Sequence, residues 1–566
     1  MNILPGEVVQ AMVIDTLSGR TPLYRISESF ADLDMVMIVG RSIDPASLND
    51  SCLGRTLDAI YKAGPMKIIS ELGVRAVRAF DLRADKVHFD TTSTSVWGDY
   101  LECENGPPKE GPRIWFGHSK DARPDLKQFM TECLCVEAGV PILGQTRDGN
   151  ASDKVLNNEL LSHLREIKSK HGLAPGAYVY IADSAAVTEE NLKLAAKHMF
   201  ISRLPFTYNE CNRVISEAVA AGQWQQIGTL AEDTSPGTRP PASYKAAEGQ
   251  VMLYGQAWRA VVVHSSAHDK RRLKRLERNL AKSKAALAKQ VKSMRKTYHC
   301  RPDAEIAALS ASKTHAPLHL VRTEIVQVLK RGQGRPAHDG RGQMKTVYDL
   351  QMHIEERQDE VAKCRTQAGC FVLLSNIPKT GENAFSGADI LRTYKEQNGI
   401  EMNFAFLKDP LIVNDLFLKK PGRIEALGMI LIIALMIWRL MEVSMRRHLR
   451  KTGKSITGWA DRPTTRPTAF MMSTKITGIQ VVTLPETGTR HFLRPLTDVQ
   501  LEYIEALQLA PDVFLNPHAV CTPISRQEIH ALTTQSPDSR SPPYRTNRKT
   551  TAKTSTKNGP SPGQKR

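Results

Sequence analysis

Between residues 85 and 205 the sequence alternates short β-rich segments with amphipathic helices, and no other feature constrains the fold as strongly. Strand composition, with β-branched and aromatic residues bounded by turn residues, occurs in KVHFDTTS, PRIWFGHS, CLCVEAGVPILGQTRDGN, YVYIADS and FISRLP. Helical spacing of apolar residues occurs in LNNELLSHLREIKSKHG and VTEENLKLAAKHM. The resulting order, β–β–β–α–β–α–β, predicts an α/β fold in which helices flank a mixed sheet.

The character of the sequence changes at several points, and these changes predict its domain organisation. Helical spacing dominates before residue 80, the α/β alternation breaks near residue 206, and helices return near residue 386. Beyond residue 523 the composition is mainly Ser, Thr, Pro, Lys and Arg, which predicts disorder. The predicted parts are a helical N-terminal region at 1–80, the first part of the core at 81–205, an insertion domain at 206–385, further core helices at 386–450, a C-terminal region at 451–522 and a disordered basic tail at 523–566.

Positive charge is concentrated in two segments. The chain has 77 Lys and Arg against 59 Asp and Glu, a net charge of +18. Residues 270–296 hold 12 basic residues and one acid, and residues 540–566 hold 8 basic residues and no acid, so the two segments together carry +19. The rest of the chain sums to −1. A near-neutral body with two cationic segments indicates a polyanionic partner, either nucleic acid or an anionic membrane surface.

The first cationic segment, 270–296, is predicted to be a helix with a narrow apolar seam. Leu273, Leu280, Leu287 and Met294 repeat every seven residues. The seam should therefore pack on a partner helix while the cations face outward. A solvated helix and a membrane-surface helix are the alternatives, although a membrane helix would need Trp or Phe on its apolar face. We expect contacts to a phosphate backbone from Lys270, Arg271, Arg272, Lys274 and Arg275.

The cysteines and one short apolar run indicate in which cellular compartment the protein is expected. Nine scattered cysteines show neither a disulfide framework nor zinc-ligand spacing, and the N-terminal segment MNILPGEVVQ lacks the features of a signal peptide. A cytoplasmic location is therefore expected. The apolar run from Ala426 to Trp438 has 13 residues and is followed by Arg439, whereas a membrane span needs about 20. This run predicts a buried core helix and no membrane partner.

Three acids occupy positions typical of a chemical site. Asp90 is expected to close the strand VHFD, Asp183 to close YVYIAD, and Glu401 to lie on the helix QNGIEMNFAFLK. Carboxylate oxygens are the ligands that Mg²⁺ and Mn²⁺ prefer, and a pair of such ions promotes phosphodiester chemistry. Spacing alone leaves helix caps and surface acids open as alternatives, because 59 acids offer many such triplets.

The order of several segments resembles that of insertion-sequence transposases of the DDE type. The segments are FDTTSTSVWGDY, GHSKDARPDLKQ, DGNASD, IADSAAVTEENL and YKEQNGIEMNFAFLKDP. The similarity is to the branch with the signature Tyr-x2-Arg-x3-Glu-x6-Lys, because Tyr394, Glu401 and Lys408 have the matching spacing, whereas Gln397 stands at the Arg position. The resemblance spans about residues 6–480 and implies a ribonuclease-H-like catalytic core, interrupted by an insertion between the second Asp and the Glu.

The resemblance also implies a function. Asp90, Asp183 and Glu401 would bind Mg²⁺ or Mn²⁺, and Tyr394 and Lys408 would contact DNA near the reacting phosphate. Sevenfold spacing would place Tyr394, Glu401 and Lys408 on one helical face. The implied protein is a transposase that cuts the ends of its element and joins them to target DNA, acting as a homodimer on DNA in the nucleoid-associated cytoplasm. The sequence has no P-loop, G-x-G-x-x-G or H-E-x-x-H motif, so no nucleotide cofactor is expected.

Three alternatives to a transposase are compatible with the sequence. A nuclease of the same chemistry would cut DNA without joining it. A non-catalytic DNA-binding remnant is suggested by Gln397 and by a chain expected to begin inside the helical region that recognises DNA ends. The third is a membrane-associated protein built on residues 426–438. Loop, turn or local hydrogen-bonding roles are predicted for the other candidates near the acids, His118, Lys120, Asp148, Asn150 and Ser184.

Overall fold

A computed structural model of the chain describes residues 3–170, 178–230, 241–294, 296–331, 344–409 and 418–515. The tail predicted to be disordered, 523–566, lies outside these ranges. The described residues form a mixed α/β structure with one large sheet, one smaller sheet and two short β-ribbons.

Helices make up the regular structure of the N-terminal region. They are α1 (Pro5–Leu17), α2 (Ile26–Ser29), α3 (Met35–Val39), α4 (Asp50–Ala63) and α5 (Pro65–Ala79). Asn49 caps α4 by accepting a hydrogen bond from the Cys52 amide (3.1 Å). Gly64, with φ of +88°, ends α4, and Pro65 occupies the first position of α5. These local signals divide what would otherwise be one long amphipathic helix into two.

Thirteen strands in the described ranges form the two main sheets. In chain order they are β1 (Lys86–Val96), β2 (Lys127–Cys135), β3 (Pro141–Arg147), β4 (Val179–Ala182), β5 (Met199–Leu204), β6 (Gln225–Thr229), β7 (Ser243–Leu253), β8 (Gln256–Ser265), β9 (Thr297–Tyr298), β10 (His315–Ala316), β11 (His319–Arg331), β12 (Met344–Glu356) and β13 (Cys370–Ser375). The larger sheet has the spatial order β3-β2-β1-β4-β5-β13-β8-β7-β6, and the smaller one β10-β11-β12-β9. β1 pairs parallel with β4 and β4 with β5, whereas the other pairings of the larger sheet are antiparallel. The predicted mixed α/β sheet is confirmed.

Helices that follow strands of the larger sheet flank it. They are α6 (Asp153–Lys170), α7 (Glu189–Ala195) and α8 (Asn209–Ala221). Asn157 of α6 accepts a buried hydrogen bond from the Tyr180 hydroxyl of β4 (2.7 Å). Thr188 caps α7 by accepting a hydrogen bond from the Asn191 amide (3.2 Å). The helices are thus fixed both by apolar packing and by specific polar contacts to the central strands.

The predicted insertion, 206–385, contributes to both sheets. Its strands β6, β7, β8 and β13 extend the larger sheet beyond β5. The smaller sheet is covered by α9 (Ser266–Met294), α10 (Arg301–Ser312) and α11 (Gln358–Gln367). Only the stretch from α9 to α11 therefore forms a separate layer, and the strands before and after it are part of the core sheet.

The apolar seam of α9 packs on helices and on a sheet, so the expectation of a single partner helix was correct only in part. Leu287 and Val291 are buried with Val321 and Leu350 of the β11–β12 hairpin, in a cluster that also contains Ala311 of α10. Nearer the start of α9, Leu276 and Leu280 pack with Val361 of α11. The hairpin strands have 13 residues each, and such long strands present an apolar face wide enough to cover the seam.

One long apolar helix lies at the centre of the molecule. This helix is α14 (Pro421–Thr452). Two shorter helices, α12 (Gly387–Lys395) and α13 (Asn398–Leu407), precede it in the chain. Among the described helices α14 is long and apolar enough to cross a membrane, but 78% of its apolar window is buried inside the protein. It packs against β3 and the N-terminal helices, where Arg423 pairs with Asp58 (2.7 Å). The predicted core helix at 426–438 is confirmed.

A small helical and β-ribbon layer follows α14. It contains β14 (Ile456–Thr457), β15 (Pro463–Thr464), α15 (Ala469–Lys475), β16 (Val481–Thr483), β17 (Arg490–Phe492) and α16 (Asp498–Ala506). Tyr503 is fully buried under this layer and donates a hydrogen bond to the Thr457 carbonyl (2.9 Å). The layer shields the C-terminal end of α14 from solvent.

Candidate active site

Asp90 and Asp183 lie side by side on adjacent parallel strands. β1 and β4 pair in register through Phe89 and Ala182, so the next residue of each strand is an aspartate. β4 ends there because Asp183 turns the chain, and its carboxylate accepts a hydrogen bond from the Ala185 amide (2.9 Å). Residues in register on neighbouring strands point to the same face of a sheet. The two carboxylates are therefore brought to one point of the larger sheet.

The prediction that Asp90 closes its strand was wrong. β1 continues from Thr91 to Val96, and these residues pair with β2 in an unbroken antiparallel register. Thr is well suited to a pleated strand, so the run of Thr and Ser that suggested a loop is compatible with β-structure. The strand that ends at this point is the neighbour, β4. Asp90 is thus held rigidly in the middle of a strand, beside an opening left by the end of β4.

The electrostatic environment of the acid pair disfavours two negative charges. Burial raises the pKa of Asp90 to about 7, the charge of Lys120 opposes this shift, and the charge of Asp183 adds to it. The pKa of Asp183 is also raised, first by burial, with the hydrogen bond from Ala185 acting against it and the charge of Asp153 adding to it. Two carboxylates in such a place favour a proton or a cation between them.

Lys120 and Asp153 complete the polar surroundings of this pair. Lys120 Nζ donates hydrogen bonds to the carbonyl and hydroxyl oxygens of Thr91 (2.6 and 2.8 Å) and lies 3.1 Å from Asp153 Oδ2. The Thr91 hydroxyl donates to Asp153 Oδ1 (2.6 Å). Sequence reasoning missed Asp153, because an acid in the first turn of a helix is equally typical of a residue that stabilises the helix dipole.

Tyr394 lies close to the acids. It packs at the edge of an apolar cluster formed by residues of β4, β5 and β13. Burial raises its pKa to about 12, the charge of Arg203 opposes this, and the charges of Asp183, Glu401 and Asp90 add to it. The phenol is therefore within electrostatic range of all three predicted metal ligands. Tyr394 is both a packed aromatic residue and a neighbour of the candidate site.

The expectation that Tyr394, Glu401 and Lys408 share one face of a single helix was wrong. The chain leaves α12 and enters α13 between the first two of them. At this junction the hydrogen bonds tighten, with the Gln397 amide donating to the Tyr394 carbonyl (3.2 Å) and the Ile400 amide to the Gln397 carbonyl (2.9 Å). Such i to i+3 bonds turn the backbone by about 120° per residue, against 100° in an α-helix, so the sevenfold register is lost.

The α12–α13 junction is fastened to β1. Glu396 Oε1 accepts a hydrogen bond from Lys86 Nζ (2.8 Å), and Glu396 Oε2 lies 3.8 Å from His88 Nε2. Although burial acts to raise the pKa of Glu396, hydrogen bonds from His88 and Lys86 lower it below its usual value. Gln397, which stands at the Arg position of the family signature, is only 8% exposed and lies inside this junction.

A buried polar network anchors α13 to the core helix. Asn403 accepts a hydrogen bond from Arg439 Nε (2.7 Å) and donates one to the Gly139 carbonyl (2.7 Å). Arg439 also donates to Glu442 (2.9 Å), which in turn pairs with Arg446 (3.1 Å). Because these groups are buried, each must keep its partners. The network fixes the helix that carries Glu401.

Glu401 itself lies in the first turn of α13 with an exposed side chain. Lys408, at the end of α13, forms an ion pair with Asp121 (2.6 Å) in the loop that also holds Lys120. In the part of the chain that the structure describes, no group of three or more His, Cys, Asp or Glu side chains is arranged to hold a metal ion. The structure thus brings Asp90 and Asp183 together and leaves Glu401 outside a closed ligand set.

The chemistry of the acid pair nevertheless fits a divalent cation. Asp90 and Asp183 offer the hard oxygen ligands that Mg²⁺ and Mn²⁺ prefer. Burial is the main cause of their raised pKa values, and the charge of Lys120 offsets it only in part. A cation at this place would stabilise the ionised form of both groups.

The basic face of α9 is directed to solvent. Lys270, Arg271, Lys274 and Arg275 are exposed, and within the described ranges none of them pairs with a carboxylate. Arg272 differs from the other predicted contacts, because its guanidinium lies 4.4 Å from the ring centroid of Phe206 and donates to the Gln367 carbonyl (3.3 Å). Four of the five predicted phosphate contacts are therefore accessible, and the fifth is used within the protein.

Comparison with known families finds one match, at the N-terminus. A family model described as a domain of unknown function (DUF4277) matches residues 1–74, which contain α1 to α4 and most of α5. No curated protein matches the chain. The match covers the helical N-terminal region and does not reach the acid pair.

Proposed function

We propose that this protein is a DNA transposase of the DDE type, which cuts the ends of an insertion sequence and joins them to target DNA. The observation that carries the proposal is the pair of carboxylates, Asp90 and Asp183, placed in register on adjacent strands in surroundings that favour a cation. Perturbed acids that converge from distant parts of a chain are typical of catalytic sites.

The arrangement around the pair supports a ribonuclease-H-like core. The first three strands are antiparallel neighbours, and α6, β4, α7 and β5 follow in the order that the family resemblance implies. Between the second Asp and the Glu the chain adds four strands to the core sheet and a separate α/β layer, which is where that resemblance expects an insertion. This order of elements supports the proposal for Asp90 and Asp183.

Each side chain has a defined role in the proposed reaction. Asp90, Asp183 and Glu401 would hold Mg²⁺ or Mn²⁺, which when bound supplies Lewis-acid stabilisation to the attacking and leaving oxygens of a phosphodiester. Lys120 would balance the charge of Asp153 and hold the loop beside the acids. Tyr394 would form the wall of the site, and its high pKa keeps it a neutral hydrogen-bond donor to a phosphate oxygen.

The basic helix supports DNA as the partner. Lys270, Arg271, Lys274 and Arg275 are exposed on α9 and pair with no carboxylate in the described ranges. Cations of this kind contribute affinity for a phosphate backbone without reading sequence. A cytoplasmic protein that works as a homodimer on DNA is part of the proposal, since two element ends must be joined.

A nicking and strand-transfer assay on plasmid DNA with Mg²⁺ tests the proposal. We expect Asp90→Asn, Asp183→Asn and Glu401→Gln each to lower cleavage by ~10³-fold or more while DNA binding stays within ~3-fold. Asp125→Asn is the matched control, because Asp125 is an exposed acid paired only with Arg123. It should cleave like the unaltered protein.

The outcomes separate the alternatives. Cleavage that survives in all three variants would refute the site. Nicked DNA without joined products would indicate a nuclease, and metal-independent binding without any nicking would indicate a DNA-binding remnant.

A further inference from the structure

Three basic side chains from three different elements gather around one buried ring, that of Phe371 on β13. The Arg203 guanidinium carbon lies 5.3 Å from the ring centroid, Lys395 Nζ lies 5.9 Å from it, and the His268 ring lies 5.6 Å from it. Arg203 belongs to β5, His268 to α9 and Lys395 to the end of α12. We call Arg203, His268 and Lys395 the Phe371 cluster.

The Phe371 cluster has positive charge without a matching acid. In the described residues neither Arg203 nor Lys395 forms an ion pair, although both are only partly exposed. Charges taken partly out of water normally find a partner of opposite sign. Ring contacts provide only part of this compensation. The charge of Asp269, which follows His268 in the chain, acts instead to raise the pKa values of His264 and Cys370.

The neighbouring cations affect His268 strongly. Burial first, and then the charges of Lys395, Arg203, Arg272 and Arg271, lower the pKa of His268 to about 4. Buried beside these cations, the His268 ring is neutral near pH 7. The indication of a compact anion comes from the geometry, in which two partly buried cations lie on one ring without an ion-pair partner in the described ranges.

The Phe371 cluster lies next to the candidate active site. Ser202 on β5 is in register with Ala182 on β4, and the Ser202 hydroxyl donates to the Asp183 carbonyl (2.7 Å), so Arg203 follows directly. Lys395 follows Tyr394 in the chain, and the charge of Arg203 acts on the Tyr394 phenol. The anion site and the acid pair are therefore separated by a single strand and by Tyr394.

We propose that Arg203, His268 and Lys395 bind a backbone phosphate of the DNA strand that enters the candidate active site. The inference rests on the proposed function and adds a second point of contact between the protein and DNA. An Arg fork and a Lys ammonium are well suited to the oxygens of one phosphodiester. Because the three residues come from β5, α9 and α12, this phosphate would also tie the basic helix to the helices that carry Tyr394 and Glu401.

The test measures DNA binding without cleavage. The full chain with Asp90→Asn is titrated in EDTA with a fluorescein-labelled duplex over a series of salt concentrations. Adding Arg203→Gln and Lys395→Gln should reduce affinity by ~10-fold and lower the slope of log affinity against log salt by about 0.9, the value of one phosphate contact. Lys395→Arg, which keeps the charge, should retain the slope.

A matched control removes two cations that already have partners. Arg322 pairs with Glu355 (3.2 Å) and Lys475 with Asp461 (2.8 Å), so Arg322→Gln with Lys475→Gln should leave the slope unchanged. Thermal unfolding checks that each variant is folded. If the double variant of the Phe371 cluster does not fold, the pair Lys395→Gln and Lys395→Arg decides, because only the first removes charge.

Each outcome gives a distinct answer. An unchanged slope in the double variant, with normal binding by its parent, overturns the phosphate site and leaves the transposase proposal intact. Equal losses in the control variant overturn the site as well, because the effect would then be general electrostatics. Absence of any DNA binding by the unaltered protein overturns the transposase proposal and this inference together.

Discussion

The acid pair and the basic face of α9 differ in how far their charged groups are exposed to water. Asp90 and Asp183 are largely buried at the ends of paired segments of β1 and β4, and burial raises the pKa of both, that of Asp90 to about 7. Lys270, Arg271, Lys274 and Arg275 of α9 are exposed, and within the described ranges none of them forms an ion pair with a carboxylate. Buried charges are sensitive to each atom around them, whereas exposed charges act mainly through their number. On the proposed function, the first region would carry out the chemistry and the second would contribute affinity for DNA.

The largest change in the free energy of unfolding is expected when Asp90 is neutralised. Its folded-state pKa of about 7 lies above the unfolded value, so the metal-free protein loses stability as the pH rises from about 4 to about 7. Asp90→Asn removes this loss. We expect the variant to be more stable than the unaltered protein by ~2–4 kcal/mol at pH 8 in EDTA, and equally stable near pH 4.

Urea unfolding at the two pH values measures this effect. Asp125→Asn serves as the comparison, because Arg123 lowers the pKa of Asp125 and its removal should bring no gain at pH 8. A variant at Asp90 that is destabilised at both pH values would show that the carboxylate is not under strain.

Breaking the buried network of Arg439, Glu442 and Asn403 should change the free energy of unfolding almost as much. Arg439→Met leaves Arg446 as the one ion-pair partner of the buried Glu442 among the described residues, and it removes the donor to Asn403 Oδ1 on α13. We expect a loss of about 3 kcal/mol in the free energy of unfolding. Lys451→Met, on the exposed surface of the same helix, should change it by less than ~0.5 kcal/mol. Similar losses in both variants would contradict the contrast between buried and exposed charge.

Neutralising the basic face should affect binding and not folding. The variant carries glutamine at Lys270, Arg271, Lys274 and Arg275. Each phosphate contact that is lost should lower the slope of log affinity against log salt by about 0.9, with unfolding free energy changed by less than ~0.5 kcal/mol per site. Arg272→Gln alone should instead destabilise the fold, because its guanidinium contacts Phe206. A salt slope that does not change would remove α9 from the interface.

The smallest effect is expected at Lys408. Its ion pair with Asp121 is partly exposed, so Lys408→Gln should cost less than ~1 kcal/mol of stability. If Lys408 also contacts DNA, cleavage should fall more in Lys408→Gln than in Asp121→Asn, which breaks the same pair and leaves the lysine. Equal cleavage in the two variants would restrict Lys408 to a structural role.

Sequence patterns predicted what depends on local composition. The alternation of strands and helices, the buried run at 426–438 and the pairing of Asp90 with Asp183 follow from apolar periodicity and from acids at the ends of strand-like segments. The first two features need only short-range information, because they are defined by neighbouring residues, whereas the meeting of Asp90 and Asp183 was inferred from an acid at the end of each strand-like segment.

The missed features depend on partners that are distant in the chain. β1 continues beyond Asp90 because β2 pairs with it, and the seam of α9 meets the β11–β12 hairpin. The break between α12 and α13 is held by Lys86, some 310 positions away from Glu396. Apolar periodicity does not show which distant residues come into contact. A continuous helix from Tyr394 to Lys408 and a helical partner for α9 were therefore the simplest expectations.

Strand β8 ends at Ser265 and α9 begins at Ser266, so no flexible linker separates the core sheet from the cationic helix. With 29 residues, α9 extends about 43 Å at 1.5 Å per residue. At ~3.4 Å per base pair this rod matches roughly 13 base pairs of duplex. If α9 binds DNA as proposed, a duplex shorter than this would contact only part of the helix, so affinity should fall as the duplex is shortened below that length.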